Sequence, residues 1–448
     1  MVLEKPLART LRVPQSIGLE RIRSSSINWQ KASSLPDSKA LQLLILTQFF
    51  PPDFAATGQL IEELVKQLDY QGVDVRVFTG QPGYAFANEK ATKAPKVEKT
   101  GRVWVKRSRM TQLFSHRISG KAISGLLFAL RVILHLIRRS RSYDVTLVTT
   151  APPFLPVIAY LANVFLGARY VCLLYDLYPD IAVELDVVSD RHPIAKLWRL
   201  INRQVWRRAE NVIVLSSSMK QRVISHCPDI EDKVSVIHSW ANPDKILPIQ
   251  KRDNWFAQEH NLVDPFVVMY SGNMGRCHDI DTIFAAAELL KDEPIQFVFI
   301  GDGAKRSQLI ESVLAAKLNN FLFLPYQEKS DLPYSLTACD LSLVSVSEGM
   351  ESLVAPSKLY PAMATGRPVA AVCPPSSYLG SLLDSAQGGT AFANGEAKAL
   401  AAFICELSQN RFKAERLGKS GRQYVQANFT PERVAKQYLQ VLTKAAER

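Results

Sequence analysis

Two short apolar stretches in the second half of the chain each run directly into a glycine turn. Residues 266–271 (FVVMYS) lead into GNMGR, and residues 297–300 (FVFI) lead into GDG. Helical periodicity follows each turn, so strands alternate with helices. This alternation predicts an α/β fold of parallel sheets, with ligands bound at the carboxyl edges of the strands. Further strands are predicted at residues 321–324, 341–346 and 369–372.

The first half of the chain has the same alternation. A strand is predicted at residues 41–46 and a helix at 59–68, which Gly58 opens. Later strands are predicted at residues 145–149, 170–174 and 212–215. A chain of 448 residues exceeds the usual size of one domain, and two α/β domains of about 200 residues each fit the usual range. We predict a flexible basic extension at 1–40, a first domain at 41–245 and a second domain at 264–430.

Residues 347–369 (SEGMESLVAPSKLYPAMATGRPV) combine two kinds of recognition in one segment. Ser357 and Lys358 open a helix of small residues, where free backbone N–H groups, the helix dipole and the lysine charge suit a phosphate group. Glu348 and Glu351 precede them, and carboxylates suit hydroxyl groups such as those of a ribose or a sugar. The segment predicts a nucleotide-sugar site, and an ordinary helix cap is the alternative.

The turn SGNMG offers a second group of candidate residues. Arg276 follows it directly, and a guanidinium can hold a diphosphate through two hydrogen bonds. Gly272 and Gly275, on either side of Asn273, would let the backbone approach a ligand closely. Alternatively, Arg276 is a charged residue of a solvent-exposed loop that binds no ligand. The two glycines could likewise be required only by the conformation of the turn.

Several segments, in their order and spacing, resemble glycosyltransferase family 4, in particular the subgroup that builds bacterial surface polysaccharides. In the second half they are YSGNMG, IGDG, ACDLSLVSV and PSKLYPAMATGRPV. In the first half they are LTQFFPPDFAATGQLIEELVKQL, VTLVTTAPPF and LLYDLYPDIAVEL. The resemblance covers residue 41 to the C-terminus. It implies the GT-B fold, with two facing Rossmann-like domains, the first on the acceptor side and the second binding the donor. It also implies that the final helix, 431–446, crosses back to the first domain.

The chain departs from the family in one place. Members usually carry two glutamates eight positions apart, and the alignment on SKLY and GRPV puts Leu353 and Pro361 at those positions. Glu348 and Glu351 are the nearest replacements. Because proline lacks an N–H and constrains the residue before it, we expect the helix to start late or to bend at Pro361.

Glycosyl transfer from a nucleotide diphosphate sugar places negative charge on the leaving diphosphate, so the protein must supply fixed positive charge and N–H donors. Lys358, with Ser357, is the first candidate for this role and Arg276 the second. The resemblance implies a retaining reaction without a dedicated base, in which Asp176 of YDLYPD orients the acceptor or the sugar. If the reaction is inverting, Asp176 is the leading candidate base. A structural role before Pro179 is the third alternative.

The resemblance also implies positions in the GT-B cleft for the remaining candidate residues. Asp302 and Gly303 would line the nucleotide side, although Asp302 could instead cap the following helix. Gly58 would lie near the donor phosphates or the acceptor. No metal or cofactor is predicted, because the seven histidines have no HExxH or similar spacing. A nicotinamide dehydrogenase is disfavoured, since GDGAKR lacks the third glycine of the dinucleotide fingerprint.

The net charge of +12 is unevenly distributed. Between residues 102 and 143 there are ten basic residues and no acidic one, and residues 123–139 within this stretch have the periodicity of an amphipathic helix. Such a helix suits an anionic membrane surface, and an ordinary helix packed on the sheet is the alternative. No RNA- or DNA-binding module is recognisable, so nucleic acid is not expected as a partner. Residues 151–166 are too short for a membrane span and predict a buried helix.

Six scattered cysteines without a CxxC pair indicate a reducing cytosol. Together with these features, the resemblance to family 4 implies a cytoplasmic transferase at the inner face of the plasma membrane, which extends a lipid-linked oligosaccharide for exopolysaccharide or O-antigen. The alternative is a catalytically weakened relative that binds nucleotide-sugar or scaffolds polysaccharide assembly, because the two family glutamates are missing.

Overall fold

A computed structural model describes residues 40–53, 55–81, 94–108 and 118–447, with the backbone alone for 118–124. The predicted extension, apart from Ala40, lies outside the described residues. Arg109 and Arg117 of the basic stretch also lie outside them, as does the side chain of Lys121.

The first half of the chain forms an eight-stranded sheet in the order β3-β4-β2-β1-β5-β6-β7-β8, in which only the β3–β4 pair is antiparallel. Most of the strands are continuous apolar runs, as expected for a parallel sheet covered on both faces. The strands are β1 Gln42–Leu46, β2 Asp74–Thr79, β3 Val97–Thr100, β4 Val103–Arg107, β5 Val145–Thr149, β6 Tyr170–Leu174, β7 Asn211–Val214 and β8 Val234–Val236. The helices are α1 Ala56–Tyr70, α2 Ile118–Arg139, α3 Leu155–Leu166, α4 Asp180–Glu184, α5 Pro193–Arg208 and α6 Ser217–His226.

The second half forms a six-stranded parallel sheet in the order β11-β10-β9-β12-β13-β14. Its strands are β9 Phe266–Ser271, β10 Ile295–Ile300, β11 Phe321–Leu324, β12 Leu341–Ser345, β13 Val369–Val372 and β14 Gly389–Phe392. The helices are α7 Trp255–Glu259, α8 Asp281–Leu289, α9 Arg306–Ala315, α10 Leu332–Thr337, α11 Leu359–Ala364, α12 Tyr378–Ala386, α13 Ala397–Gln409, α14 Arg411–Asn428 and α15 Pro431–Glu447. The predicted α/β fold of parallel sheets is confirmed.

The last helix, α15, packs on the first sheet rather than on the second. It contacts α1 and the strands β5 and β6, and the buried Tyr438 ring lies 6.2 Å from the ring of Trp240. The boundaries of the two domains stay a prediction.

No helix among the described residues has the length and apolar character needed to cross a bilayer. The prediction that residues 151–166 form a buried helix is wrong for its outer face. Leu155 and Ala159 of α3 are buried against the sheet, but Phe165 is 77% exposed and Leu161 and Val164 are also exposed.

Candidate active site

Lys358 lies directly before α11, and its side chain reaches the glycine turn after β9. Its Nζ donates to the backbone oxygen of Asn273 at 3.0 Å and to the Tyr270 hydroxyl. It also lies 4.0 Å from the centre of the Tyr270 ring, where the ring quadrupole attracts a cation. The Tyr270 hydroxyl in turn donates to the same Asn273 oxygen at 3.0 Å. An ammonium has three N–H donors, so one remains for a ligand.

The surroundings of Lys358 disfavour its charged form. Burial lowers the pKa of its side chain to about 7, because a charged group loses hydration there. A bound anion would favour the charged form. The side chain of Lys358 is therefore positioned to gain a proton when an anion binds.

His278 is a neutral hydrogen-bonding group beside Lys358. Its Nδ1 lies 2.7 Å from the backbone oxygen of Ser345, and a carbonyl oxygen can only accept, so Nδ1 carries the hydrogen and Nε2 is an acceptor. Burial, followed by the charges of Lys358 and Lys305, lowers the pKa of His278 to about 3. The two lysines therefore both act electrostatically on this imidazole.

Sequence reasoning missed Tyr270, His278 and Lys305. Tyr270 is the next-to-last residue of a buried strand, where an aromatic residue is expected to belong to the hydrophobic core. Lys305 has an identifiable signal, since it is the second residue after the GDG turn.

The two glycine turns of the second sheet interlock. Met274 donates its N–H to Asp302 O at 2.8 Å, and Lys305 donates its N–H to Met274 O at 3.0 Å. Gly303 has φ +148°, and a Cβ there would lie 2.5 Å from the Met274 carbonyl. Gly272 has φ +130°, and a Cβ there would meet Lys358 Cε at 3.4 Å. Both positions thus require glycine for the turn, and Gly272 also for the close approach of Lys358.

The other candidate residues of these two turns are more exposed to solvent or less constrained by their backbone. Asn273, Arg276 and Asp302 are exposed. Arg276 makes no hydrogen bond or ion pair with any residue that the structure describes, and Gly275 has no positive φ. Asp302 accepts a hydrogen bond from the N–H of Gly303 at 2.8 Å. It does not cap α9, whose N-terminus has no side-chain cap.

Asp176 follows β6, at the carboxyl edge of the first sheet, and meets the second half of the chain. Its backbone forms a bridge with Val354, and its carboxyl pKa is raised by burial to about 6. Burial and then the Asp176 charge raise the pKa of the Cys277 thiol to about 11. The structure therefore brings Asp176 close to the turn that carries Arg276. The carboxylate does not cap α4, whose N-terminus has no side-chain cap.

The helix after Lys358 does not have the first of the two forms expected from Pro361. It begins at Leu359 and has six residues, so the late start expected from Pro361 is not observed. Pro361 is the third residue of the first turn, where a backbone N–H has no partner within the helix, and its missing N–H therefore removes no helical hydrogen bond. Ser357, just before Lys358, is half-buried. Leu353 is 1% exposed and belongs to the core.

The two candidate glutamates do not share one environment. Glu348 is exposed. Glu351 lines a crevice of about 320 Å³ with Arg222 of α6 and with Ser352 and Ser376. Its buried Oε2 has no hydrogen-bond partner among the described residues. The lining of this crevice does not include Lys358.

Gly58 lies in the first turn of α1 and is buried. A Cβ there would meet the backbone of Phe49 and Phe50 at 3.1 Å, so the residue lets α1 pack under the loop after β1. The same helix contacts the second half of the chain, since Glu62 pairs with Lys329 at 2.6 Å. The structure thus brings Gly58 to the side of the first sheet that faces the second.

Comparison with known proteins identifies both halves of the chain. Residues 57–245 match Glycosyltransferase Family 4, and residues 251–424 match Glycosyl transferases group 1. A probable glycosyltransferase of Pseudomonas aeruginosa, WbjE, is 28% identical over 70% of this chain and 78% of its own.

A second relative, from Escherichia coli strain K12, is named as a colanic acid biosynthesis glycosyl transferase, WcaI. It is 24% identical over 89% of this chain and 99% of its own. The structure of Anabaena Alr3699/HepE in complex with UDP and glucose has a similar fold. Its TM-score is 0.68 at 16% identity, over 90% of this chain and 99% of that one. With two facing parallel α/β halves and both domain matches in order, the chain belongs to glycosyltransferase family 4 and has the GT-B fold.

Proposed function

We propose that this glycosyltransferase moves a sugar from a UDP-sugar to a lipid-linked oligosaccharide during exopolysaccharide or O-antigen synthesis, with retention and without a metal. Two relatives support the choice of substrates. HepE binds UDP in its solved complex, and the name of WcaI refers to colanic acid biosynthesis.

The observation that carries the proposal is the ammonium of Lys358 at the glycine turn of residues 272–275. Its remaining N–H and its charge, supported by Lys305 and the exposed Arg276, suit a departing diphosphate. Tyr270 holds Lys358 in position through its hydroxyl and ring. These cations supply the positive charge that a bound divalent metal would otherwise provide.

Asp176 takes the role of orienting the acceptor or the sugar. Its carboxylate belongs to the first sheet and lies close to the turn of the second, where an acceptor must meet the donor. In a retaining reaction the leaving phosphate takes the acceptor proton, so Asp176 is not needed as a base. In an inverting reaction it would be the base, and the anomer of the product distinguishes the two.

The acceptor is proposed to reside in a membrane, so we propose that the protein works peripherally at the cytoplasmic face of the plasma membrane. Support comes from α2, whose arginines Arg138 and Arg139 are exposed at its C-terminal end. The exposed leucines Leu126 and Leu130 lie on the same helix.

The test is hydrolysis of a panel of UDP-, GDP- and dTDP-sugars by the purified protein. We expect turnover with a UDP-sugar that Lys358→Ala abolishes and Lys436→Ala, in an exposed lysine of α15, leaves unchanged. Binding of UDP without any turnover would favour the catalytically weakened relative. Turnover that survives Lys358→Ala would contradict the assignment of Lys358.

A further inference from the structure

Helices α2, α3 and α5 form one layer on a single face of the first sheet. The connections β4-α2-β5, β5-α3-β6 and β6-α5-β7 step across the sheet in the same direction. Right-handed crossovers that step the same way put their helices on the same face. In agreement, α2 contacts α3 and α3 contacts α5. The outward surfaces of the three helices are therefore neighbours, and we call them the three-helix face.

The three-helix face is apolar to a degree unusual for a protein surface. On α2 the exposed large apolar residues are Leu126, Leu130, Leu134 and Ile137, with Leu126 at 70% exposure. Their spacing of three or four residues puts them in one row along the helix. The inner side of the same helix is buried through Phe128 and other residues. Packing on the sheet therefore does not account for the outer row.

The row continues on the two neighbouring helices. On α3, Phe165 and two further apolar residues are exposed, as described above. On α5 the exposed apolar residues are Ile194, Leu197 and Leu200, with Leu197 at 57% exposure. Ten of the nineteen large apolar side chains that are exposed in the described chain belong to these three helices. Apolar patches of this kind mark interaction sites.

The charge of the three-helix face has a single sign. The sequences of α2, α3 and α5 contain nine lysine or arginine residues and no aspartate or glutamate. Arg199 and Arg207 pair with aspartates outside these helices, at 2.8 and 2.7 Å. The exposed Arg138, Lys196 and Arg203 make no ion pair with any other described residue. Net positive charge therefore remains on the face.

A basic cavity of about 330 Å³ adjoins α2. It is lined by Lys96, Lys106, Arg138 and Arg139 together with His135. Burial, followed by the charges of Lys96 and Arg139, lowers the pKa of Lys106. Like charges gathered in this way are stabilised when an anion such as a phosphate group lies among them.

We propose that the three-helix face is a docking surface for an anionic lipid bilayer, with the basic cavity taking a lipid phosphate at its edge. Aliphatic and aromatic side chains would enter the interface between headgroups and acyl chains, and the unpaired cations would meet the headgroups. The charge complementarity selects this partner over a second copy of the chain, because two faces of the same sign repel. The inference rests on the proposed membrane acceptor and extends the contact from α2 to α3 and α5.

The test is flotation of the full chain with vesicles of phosphatidylcholine, with and without phosphatidylglycerol. We expect binding that needs phosphatidylglycerol and weakens with salt. Leu197→Glu combined with Leu200→Glu should lower the bound fraction at least tenfold. The matched control replaces Leu314 of α9 and Phe412 of α14, which are exposed elsewhere, with glutamate, and should bind like the unchanged protein.

Each variant is checked by its melting temperature and by its hydrolysis of the UDP-sugar. If the α5 variant loses vesicle binding but hydrolyses the UDP-sugar at an unchanged rate, the docking surface is supported. Loss of hydrolysis in the Lys358 variants tests the proposed function and does not bear on the docking surface. The proposal is overturned if the full chain does not bind anionic vesicles. It is also overturned if the α5 variant and the control variant float to the same extent. A dimer in solution that the α5 variant dissociates would overturn it in favour of a second copy.

Discussion

The lowered pKa of Lys358 makes nucleotide affinity depend on pH in a defined direction. Burial lowers this pKa to about 7. Above that value the lysine loses its proton, and the neutral amine no longer attracts a diphosphate. The affinity for UDP should therefore fall as the pH rises from 7 to 9.

The size of the effect follows from the charged fraction of Lys358. With a pKa of about 7, the charged fraction is about 0.5 at pH 7 and about 0.01 at pH 9. If only the charged form binds UDP well, the apparent Kd rises about fiftyfold, which is about 2.3 kcal/mol. Asp176 and His278 do not titrate in this window, since their pKa values are about 6 and about 3. Burial also keeps the Tyr270 phenol protonated by raising its pKa.

Isothermal titration calorimetry with UDP at pH 7, 8 and 9 measures this change. The control is Lys358→Arg, which stays charged throughout because arginine titrates above pH 12. The Kd of this variant should change less than about threefold over the same range. Because both proteins bind the same nucleotide, the comparison also removes any effect of titration of UDP itself. An unchanged Kd for the natural protein, or an equal rise in the arginine variant, would refute the reasoning.

Three further outcomes are expected. Gly303→Ala should destabilise the fold by about 2 kcal/mol or more and abolish UDP binding, because its Cβ would clash with the Met274 carbonyl at positive φ; thermal unfolding and calorimetry measure this. Asp180→Ala should lower the free energy of unfolding by about 3 kcal/mol, since it leaves Arg199, Arg222 and His226 around a buried site without their carboxylate. Although burial alone would raise the Asp180 pKa, hydrogen bonds from His226 and Arg199 hold it well below its ordinary value, so this stability is present above pH about 4 and is lost on acidification. Asp176→Asn should remove an ionisation near pH 6 from the rate profile of transfer and leave the anomer of the product unchanged; a loss beyond about a hundredfold would instead identify a base.

The strands could be predicted because a buried parallel strand needs little beyond a short apolar run that stops at a turn. The predictions at 266–271, 321–324 and 369–372 match β9, β11 and β13 residue for residue. The short strands β3, β4 and β14 were missed. Val97–Thr100 is mostly polar and exposed, so it lacks the apolar signal.

The contacts of the candidate site could not be predicted in the same way. Lys358 and Tyr270 are 88 residues apart, and they meet because β12 pairs with β9 in the sheet order. Local periodicity does not encode that order. The exposed outer face of α3 was missed for a related reason. An apolar helix is predicted to be buried, and only the positions of its neighbours show which of its faces is exposed.

The charge of Lys358 suits the chemistry of the leaving group. The diphosphate of a bound donor is already an anion, so it favours the protonated form of Lys358 before the reaction starts. The diphosphate gains further negative charge as the bond to the sugar breaks. Because the ammonium is already in place when this charge develops, its attraction is larger in the transition state than in the ground state. Only such a difference accelerates the chemical step, and Tyr270 and Asn273 hold the ammonium where that charge develops.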